Sequence, residues 1–506
     1  MNNKNVQKNF VGFNASNRLP LKRFLYTLVW LISLLAVLPM QATTIYVNTD
    51  AVGAGNGDSW TNAYSDLQSA LAAANSGDDI WVAAGIYYPT STTDRIISFV
   101  MKKGVGIYGG FNGTETDLSQ RNWTTNLTTL SGDIGTLGDN SDNSHHVIYN
   151  FNAPGDPAAL DNTAILDGCM ITSGNADDDT GMGPFGGGQG GGMFNLGNSP
   201  TISNCMFIDN NAQNGGGGMS NDVGSSPVVT NCNFIGNTAN NRGGGINNDS
   251  QSSPNLTNCS FNNNMAGSGG GFYTSFGDPS LNNCSFSANT ANGSGGGMTN
   301  GGGTSTMINC SFNDNTAQQG GGIAVTIDNG DPTTVTNSIL WGNSSGIYVN
   351  PNVIDPIINV SYSIIQDGYP GTGNLDMDPL FTSPTNLQLQ DGSPAIDAGT
   401  NTVVAPAVTT DLAGQPRIVN GTVDMGAYEK DQGDPCANLA DFAGGGFVCD
   451  GDEMELDASP AQGFTPASYE WSNGETTASI MVTINAPGAS YGVTITYTNG
   501  CTNAGE

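Results

Sequence analysis

The residues able to do chemistry in this chain are few and scattered. Asp177, Asp178 and Asp179, with Asn175 just before them, offer hard oxygen ligands for calcium. The alternative is a solvated acidic insertion ahead of the glycine-rich stretch 186–192. No spacing here matches a named calcium loop, which favours the insertion. Uronate elimination needs a base, commonly Lys or Arg, and cations that neutralise the substrate carboxylate. Between residues 151 and 430 the basic residues are Arg242, Arg417 and Lys430. Arg242 stands beside a glycine run with no second cation near it in sequence. Arg417 stands among Asp411, Asp424 and Glu429, where an ion pair is expected. Glycoside hydrolysis needs two carboxyl groups roughly 5–9.5 Å apart. Asp209 and Asp314 occupy equivalent places in different repeats, too far apart to cooperate. His145 and His146 open an apolar run and read as structural. The glycine runs are not phosphate loops, because no Lys-Ser/Thr follows them.

What positions all of these is a repeat. Pro-x-apolar-x-Asn-Cys-x-Phe-x-x-Asn-x-Ala, then glycines and an apolar residue, recurs five times between Pro200 and Ile323, the last copy lacking Pro. Cys205, Cys232, Cys259, Cys284 and Cys310 mark it, with steps of 25 to 27 residues. A fixed period of this size makes a solenoid in which each repeat stacks on its neighbours. Each cysteine lies two residues before a phenylalanine (Phe207, Phe234, Phe261, Phe286, Phe312), so both face inward from one strand. The apolar residues after the glycines and after the proline mark two further strands. Three short strands per rung describe an all-β, right-handed, single-stranded parallel β-helix. Asn204 and Asn210, with their equivalents, suit left-handed bends and stacked amide ladders.

Cysteine usage follows from this geometry. Equivalent residues of stacked rungs lie roughly 4.7–4.9 Å apart with parallel side chains. A disulfide needs converging Cβ atoms near ~3.8 Å. The ladder cysteines, with Cys169, are therefore read as buried free thiols.

The other regions bound the organisation. Residues 1–42 carry five basic residues, an apolar stretch at 24–39 and a small-residue site, the anatomy of a signal peptide. Residues 43–150 read as an N-terminal cap with irregular first rungs, including a helix at 65–74 with Ser65 as N-cap. Regular rungs fill 151–379, and 380–430 is expected to close the solenoid. Residues 431–506 form a separate unit, where the order Cys449, Trp471, Cys501 suggests an Ig-like sandwich with a Cys449–Cys501 bridge and a truncated end. No segment after 42 is apolar enough to span a bilayer as a helix. Beyond residue 42, 7 Lys and Arg face 44 Asp and Glu, a net charge of −37. Such a field excludes nucleic acid as a partner.

Several stretches resemble secreted bacterial β-helix proteins of the choice-of-anchor Q group, of the kind found in Bacteroidetes. They are Asp-Ser-Trp-Thr-Asn-Ala-Tyr at 58–64, Ile-Trp-Val-Ala-Ala-Gly-Ile-Tyr at 80–87 and Tyr-Gly-Gly-Phe-Asn-Gly-Thr-Glu-Thr at 108–116. Gly-Ser-Pro-Ala-Ile-Asp-Ala-Gly at 392–399, Asp-Leu-Ala-Gly-Gln-Pro-Arg-Ile at 411–418 and Asp-Met-Gly-Ala-Tyr-Glu at 424–429 extend the match. The repeats are similar to those of chlamydial polymorphic outer-membrane proteins, and the tail resembles polycystic-kidney-disease-type modules. The resemblance implies an exported protein, extracellular or on the outer cell surface, and no defined reaction. The missing catalytic constellation favours a non-enzymatic scaffold, adhesive or glycan-binding, with extracellular glycans or surface proteins as partners and no cofactor beyond calcium. A polysaccharide lyase or glycoside hydrolase is the alternative.

Overall fold

The computed structural model describes residues 42–152, 156–177, 188–327, 332–352, 358–431, 453–458, 466–483, 492–497 and 502–505. Its strands pair in parallel across successive turns of the chain. Among the described residues they form sheets of eleven, ten, eight and five strands. One rung runs through Thr201–Ser203, Met206–Ile208, Asn211–Ala212 and Met219–Asp222, and Val228–Thr230 then returns beneath Thr201–Ser203. This is a parallel β-helix. It has one strand per rung more than the repeat suggested. The extra strand is only two residues long, too short to leave an alternating pattern, and its signature is the recurrent alanine. Ala176, Ala212, Ala239 and Ala266 stack as a small buried column of their own.

The register follows the repeat residue for residue. Phe207 pairs with Phe234, then Phe261, Phe286 and Phe312. Their rings stack with centroids 4.5–4.9 Å apart and planes within 7°. The glycine runs are tied to that stack. A Cβ on Gly218, Gly245, Gly271 or Gly297 would come within 2.9 Å of the phenylalanine ring of the next rung. Cys169 and the five repeat cysteines are buried free thiols in the same interior. Burial pushes the Cys169, Cys232 and Cys284 thiols well above their ordinary range.

Asparagine does two separate jobs. Asn204, Asn231, Asn258, Asn283 and Asn309 sit at φ between +51° and +54°, the bend between the first two strands. Asn210, Asn237, Asn264, Asn289 and Asn315 are buried instead. Each of these five donates from Nδ2 to Oδ1 of the next asparagine along the rod at 2.9–3.0 Å, ending on Asn343. Each also donates to a main-chain carbonyl one rung back, such as Asn237 to Phe207 at 2.8 Å. Each Oδ1 accepts a backbone N–H from its neighbour, as Asn237 does from Asn210 at 3.1 Å. Every amide is thus satisfied without an ion, as burial demands.

The N-terminal end is covered by helix α1 (Leu67–Ala73), which buries Leu67, Ala70 and Leu71. Its N-cap is Asp66, not the expected Ser65, because the helix starts one residue later. The Asp66 carboxylate accepts from Ser69 N at 2.8 Å. Lys102 Nζ donates to Leu71 O and Ala74 O at the other end.

The segment expected to close the rod lies lengthwise along its side. Leu389, Ala395 and Met425 pack on Ile339 and Ile364, whose side chains leave the second sheet outward. Asn283, Ser311, Asn313 and Asn337, on three successive rungs, bond to Thr410, Ala427, Pro384 and Thr400 of the segment. At its centre Arg417, 1% exposed, pairs with Glu429 at 2.7 Å. Arg417 also donates to the Asp424 and Gly426 carbonyls and to Asn283 Oδ1.

Beyond residue 431 the described strands are antiparallel. Glu453–Asp457 pairs with Ser479–Thr483, and Pro466–Trp471 pairs with Val493–Tyr497, which also pairs with Thr502–Gly505. Trp471 is buried and donates to Thr477 O at 2.8 Å. Cys449 and Cys501 lie outside the described residues.

Candidate functional site

The glycine-lined corner before the eight-stranded sheet opens into a groove of about 730 Å³. Its floor is the outward column of that sheet, where Asn247, Tyr273 and Thr299 are in register. One wall is the corner column Gln189, Gly215, Arg242 and Ser268, each bridged to the next. Asp249 and Thr326 stand on the opposite side, where the strands end. The lining spans six rungs, so the groove runs along the rod axis for roughly 24 Å at ~4.8 Å per rung.

The inward residues of each strand are fixed by packing, whereas the floor column is free to vary. Ser220 Oγ donates to Gln189 Oε1 at 3.0 Å, and Asn247 Nδ2 donates to Ser220 Oγ at 3.2 Å. Asn241 Nδ2 donates to Asn214 Oδ1 on the lip at 3.1 Å. The Arg242 guanidinium covers the Tyr273 ring, 5.0 Å from its centroid. Burial pushes the Tyr273 phenol up, so it stays a neutral hydroxyl. Arg242 Nη1 lies 3.5 Å from Asp249 Oδ2, with side chains 49% and 32% exposed. These three are the titratable groups among the described lining residues.

Arg242, dismissed from sequence as an isolated corner residue, is thus the centre of the groove. Sequence reading missed Gln189, Asn247, Asp249 and Tyr273. The signal for Asn247 and Tyr273 was their place directly after the apolar residue that follows each glycine run, where residue type varies from repeat to repeat.

The other candidates lie apart from it. Asp209 and Asp314 occupy a second left-handed column, at φ +53° and +57°, four rungs or roughly 19 Å from one another. That column is a turn requirement, filled elsewhere by Gly236, Asn263 and Ala288. Asp177 is held by Arg95 at 2.7 Å and by Asn175 Nδ2 at 3.0 Å, so a cation there would have to displace a guanidinium. Asp178 and Asp179 lie outside the described residues. No group of three or more His, Cys, Asp or Glu among the described residues is placed to hold a metal ion. His146 is buried, and burial pushes its imidazole down to about 4. It stacks on Tyr149, and its Nδ1 meets Gly190 O at 2.9 Å.

No family model and no curated protein matches the chain. Among solved structures it is similar to a pectate lyase, Pel9A, at 14% identity and a TM-score of 0.43, over 77% of this chain and 97% of that one. It is also similar to a rhamnogalacturonan lyase, at 12% identity and a TM-score of 0.36, over 75% of this chain and 96% of that one. The fold rests on the strand pairing above and not on these likenesses. No helix among the described residues is long and apolar enough to cross a membrane.

Proposed function

We propose that the protein is an exported, non-enzymatic scaffold, extracellular or on the outer cell surface, whose solenoid groove binds glycan. The observation that carries this is the groove lining: amides and hydroxyls over six rungs, with one guanidinium facing one carboxylate. Amides and hydroxyls recognise sugar hydroxyls, and a trench along the axis suits a linear chain. Hydrolysis would need a second carboxyl group. Elimination from a uronate would need a further cation to neutralise the substrate carboxylate. Neither is among the described lining residues.

The test is to incubate the purified protein with neutral and anionic polysaccharides, with calcium and with chelator. Retention on the polymer and new chain ends are measured together. Retention without new ends is expected. Sustained release of ends from one polymer would replace the scaffold with a polysaccharide lyase or glycoside hydrolase.

A further inference from the structure

The contact between Arg242 and Asp249 is too long for a good hydrogen bond. Their closest atoms are 3.5 Å apart, whereas N–H···O bonds fall at 2.7–3.2 Å, and shorter when charged. Among the described residues no hydrogen bond ties down the guanidinium or the Asp249 Oδ2 atom, and both heads are open to the groove. Asp249 Oδ1 is used, accepting from Ser250 N at 2.9 Å. What remains is a donor fork facing an acceptor oxygen across a gap. A hydroxyl lying in the groove beside the pair can bridge it, because it donates to the carboxylate and accepts from the guanidinium at once. A carboxylate does not fit: it could accept from Arg242 but would meet Asp249 with like charge, inside a strongly acidic protein.

The guanidinium is also held in place. It sits over Tyr273, 5.0 Å from the ring centroid, on a side chain that is itself buried. That contact restrains the guanidinium before any ligand arrives and lowers the ordering cost of binding. The amide lip of Asn214 and Asn241 and the Ser268 and Ser294 hydroxyls continue the polar lining along the axis.

We infer that Arg242 and Asp249 form the principal subsite of the groove, which takes a hydroxyl of an uncharged sugar unit in a linear glycan and discriminates against uronates. This rests on the glycan-binding reading and specifies its ligand class.

Charge sign makes the test decisive. Affinity of the full chain is measured for neutral glucan, mannan, xylan and galactan and for polygalacturonate and alginate. The parent is compared with Asp249→Asn, Arg242→Gln and the double variant, all at partly exposed positions where folding is checked by thermal melting. A neutral polymer is expected to bind, each single variant to weaken it about tenfold, and the double variant to add little, since one hydroxyl uses both partners. Tighter binding of a uronate polymer than of any neutral polymer by the parent, lost in Arg242→Gln, would assign the subsite to anions and overturn the inference while leaving glycan binding intact. Parent-like binding by both single variants would also overturn it and place the sugar elsewhere on the rod. Failure to bind any polymer would remove the glycan-binding reading itself.

Discussion

The regular rungs and the lateral segment at 380–430 solve the same problem in opposite ways. Both bury many polar groups. The rungs do it with neutral amides, each satisfied by the same residue one rung along, as Asn237 and Asn264 are at 3.0 Å. The lateral segment does it once, with charge: Arg417, Asp411, Asp424 and Glu429 are all nearly or wholly buried. Glu429 pairs directly with the guanidinium and Asp411 and Asp424 act on it from further away, and each carboxyl group also accepts backbone N–H groups, such as Glu429 N on Asp411 at 2.7 Å. Repetition lets a side chain find its partner in a copy of itself. A segment with no copy uses ionisable groups to define a unique seat, and their desolvation holds Glu429 and Asp424 toward the protonated form.

The sharpest way to break that contrast is Arg417→Ala. It strands the buried carboxylates, and a loss of about 3–5 kcal/mol is expected in the local stability of the segment. Hydrogen exchange should show amides at Val419, Asp424 and Lys430 losing protection while the repeat strands keep theirs. Uniform loss along the whole rod would show that the two regions are one cooperative unit.

Asn264→Ala tests the other side. It removes donors to Asn289 Oδ1 and Phe234 O and the acceptor for Asn237. A cost of about 1–3 kcal/mol is expected for the groups left without partners. Faster exchange should appear on the rungs on both sides of the change and leave residues 411–430 as they were.

Acidity separates the regions next. Burial outweighs the attraction of Arg417 and pushes Glu429 up to about 8, and burial pushes Asp424 up to about 6. In the unfolded chain both titrate near ~4. The folded segment therefore binds more protons between those values, and its stability falls as pH rises from about 4 to about 8. Thermal melts across that range should show it, and Glu429→Gln should flatten the upper half of the curve. The amide ladders contain nothing that titrates there.

The smallest effect is at Ala288. It holds φ +55° in a column where other rungs place glycine, asparagine or aspartate. A Cβ without a polar group costs about 1–2 kcal/mol in that conformation. Ala288→Gly should therefore stabilise the rod by about 1 kcal/mol in chemical denaturation, and a loss of stability would show that Ala288 contributes packing instead.

The fold was legible wherever a residue had to do the same thing in every rung. Phe207 and its partners, the cysteines and the glycines are fixed by mutual contact, so their spacing carried the register. The two-residue strand at Asn211–Ala212 was not legible, because two residues show no alternation. The buried column Asn150, Asn195, Asn221 and Asn248, linked at 2.8–2.9 Å, was also missed, since its members lie two places after the apolar residue that opens each strand, behind a position of variable type. The groove was the least legible part. Arg242, Tyr273 and Asp249 come from neighbouring rungs and meet only once the solenoid is wound.

The asparagine column from Asn210 to Asn343 has one more property. In every link Nδ2 points toward the C-terminal rungs and Oδ1 toward the N-terminal ones. Six side-chain dipoles are thus aligned head to tail, five of them buried, and such chains polarise one another. The column Asn150, Asn195, Asn221 and Asn248 points the same way. The rod is therefore electrically directional, negative toward its N-terminal end, and a duplicated rung would lengthen it without reversing that direction.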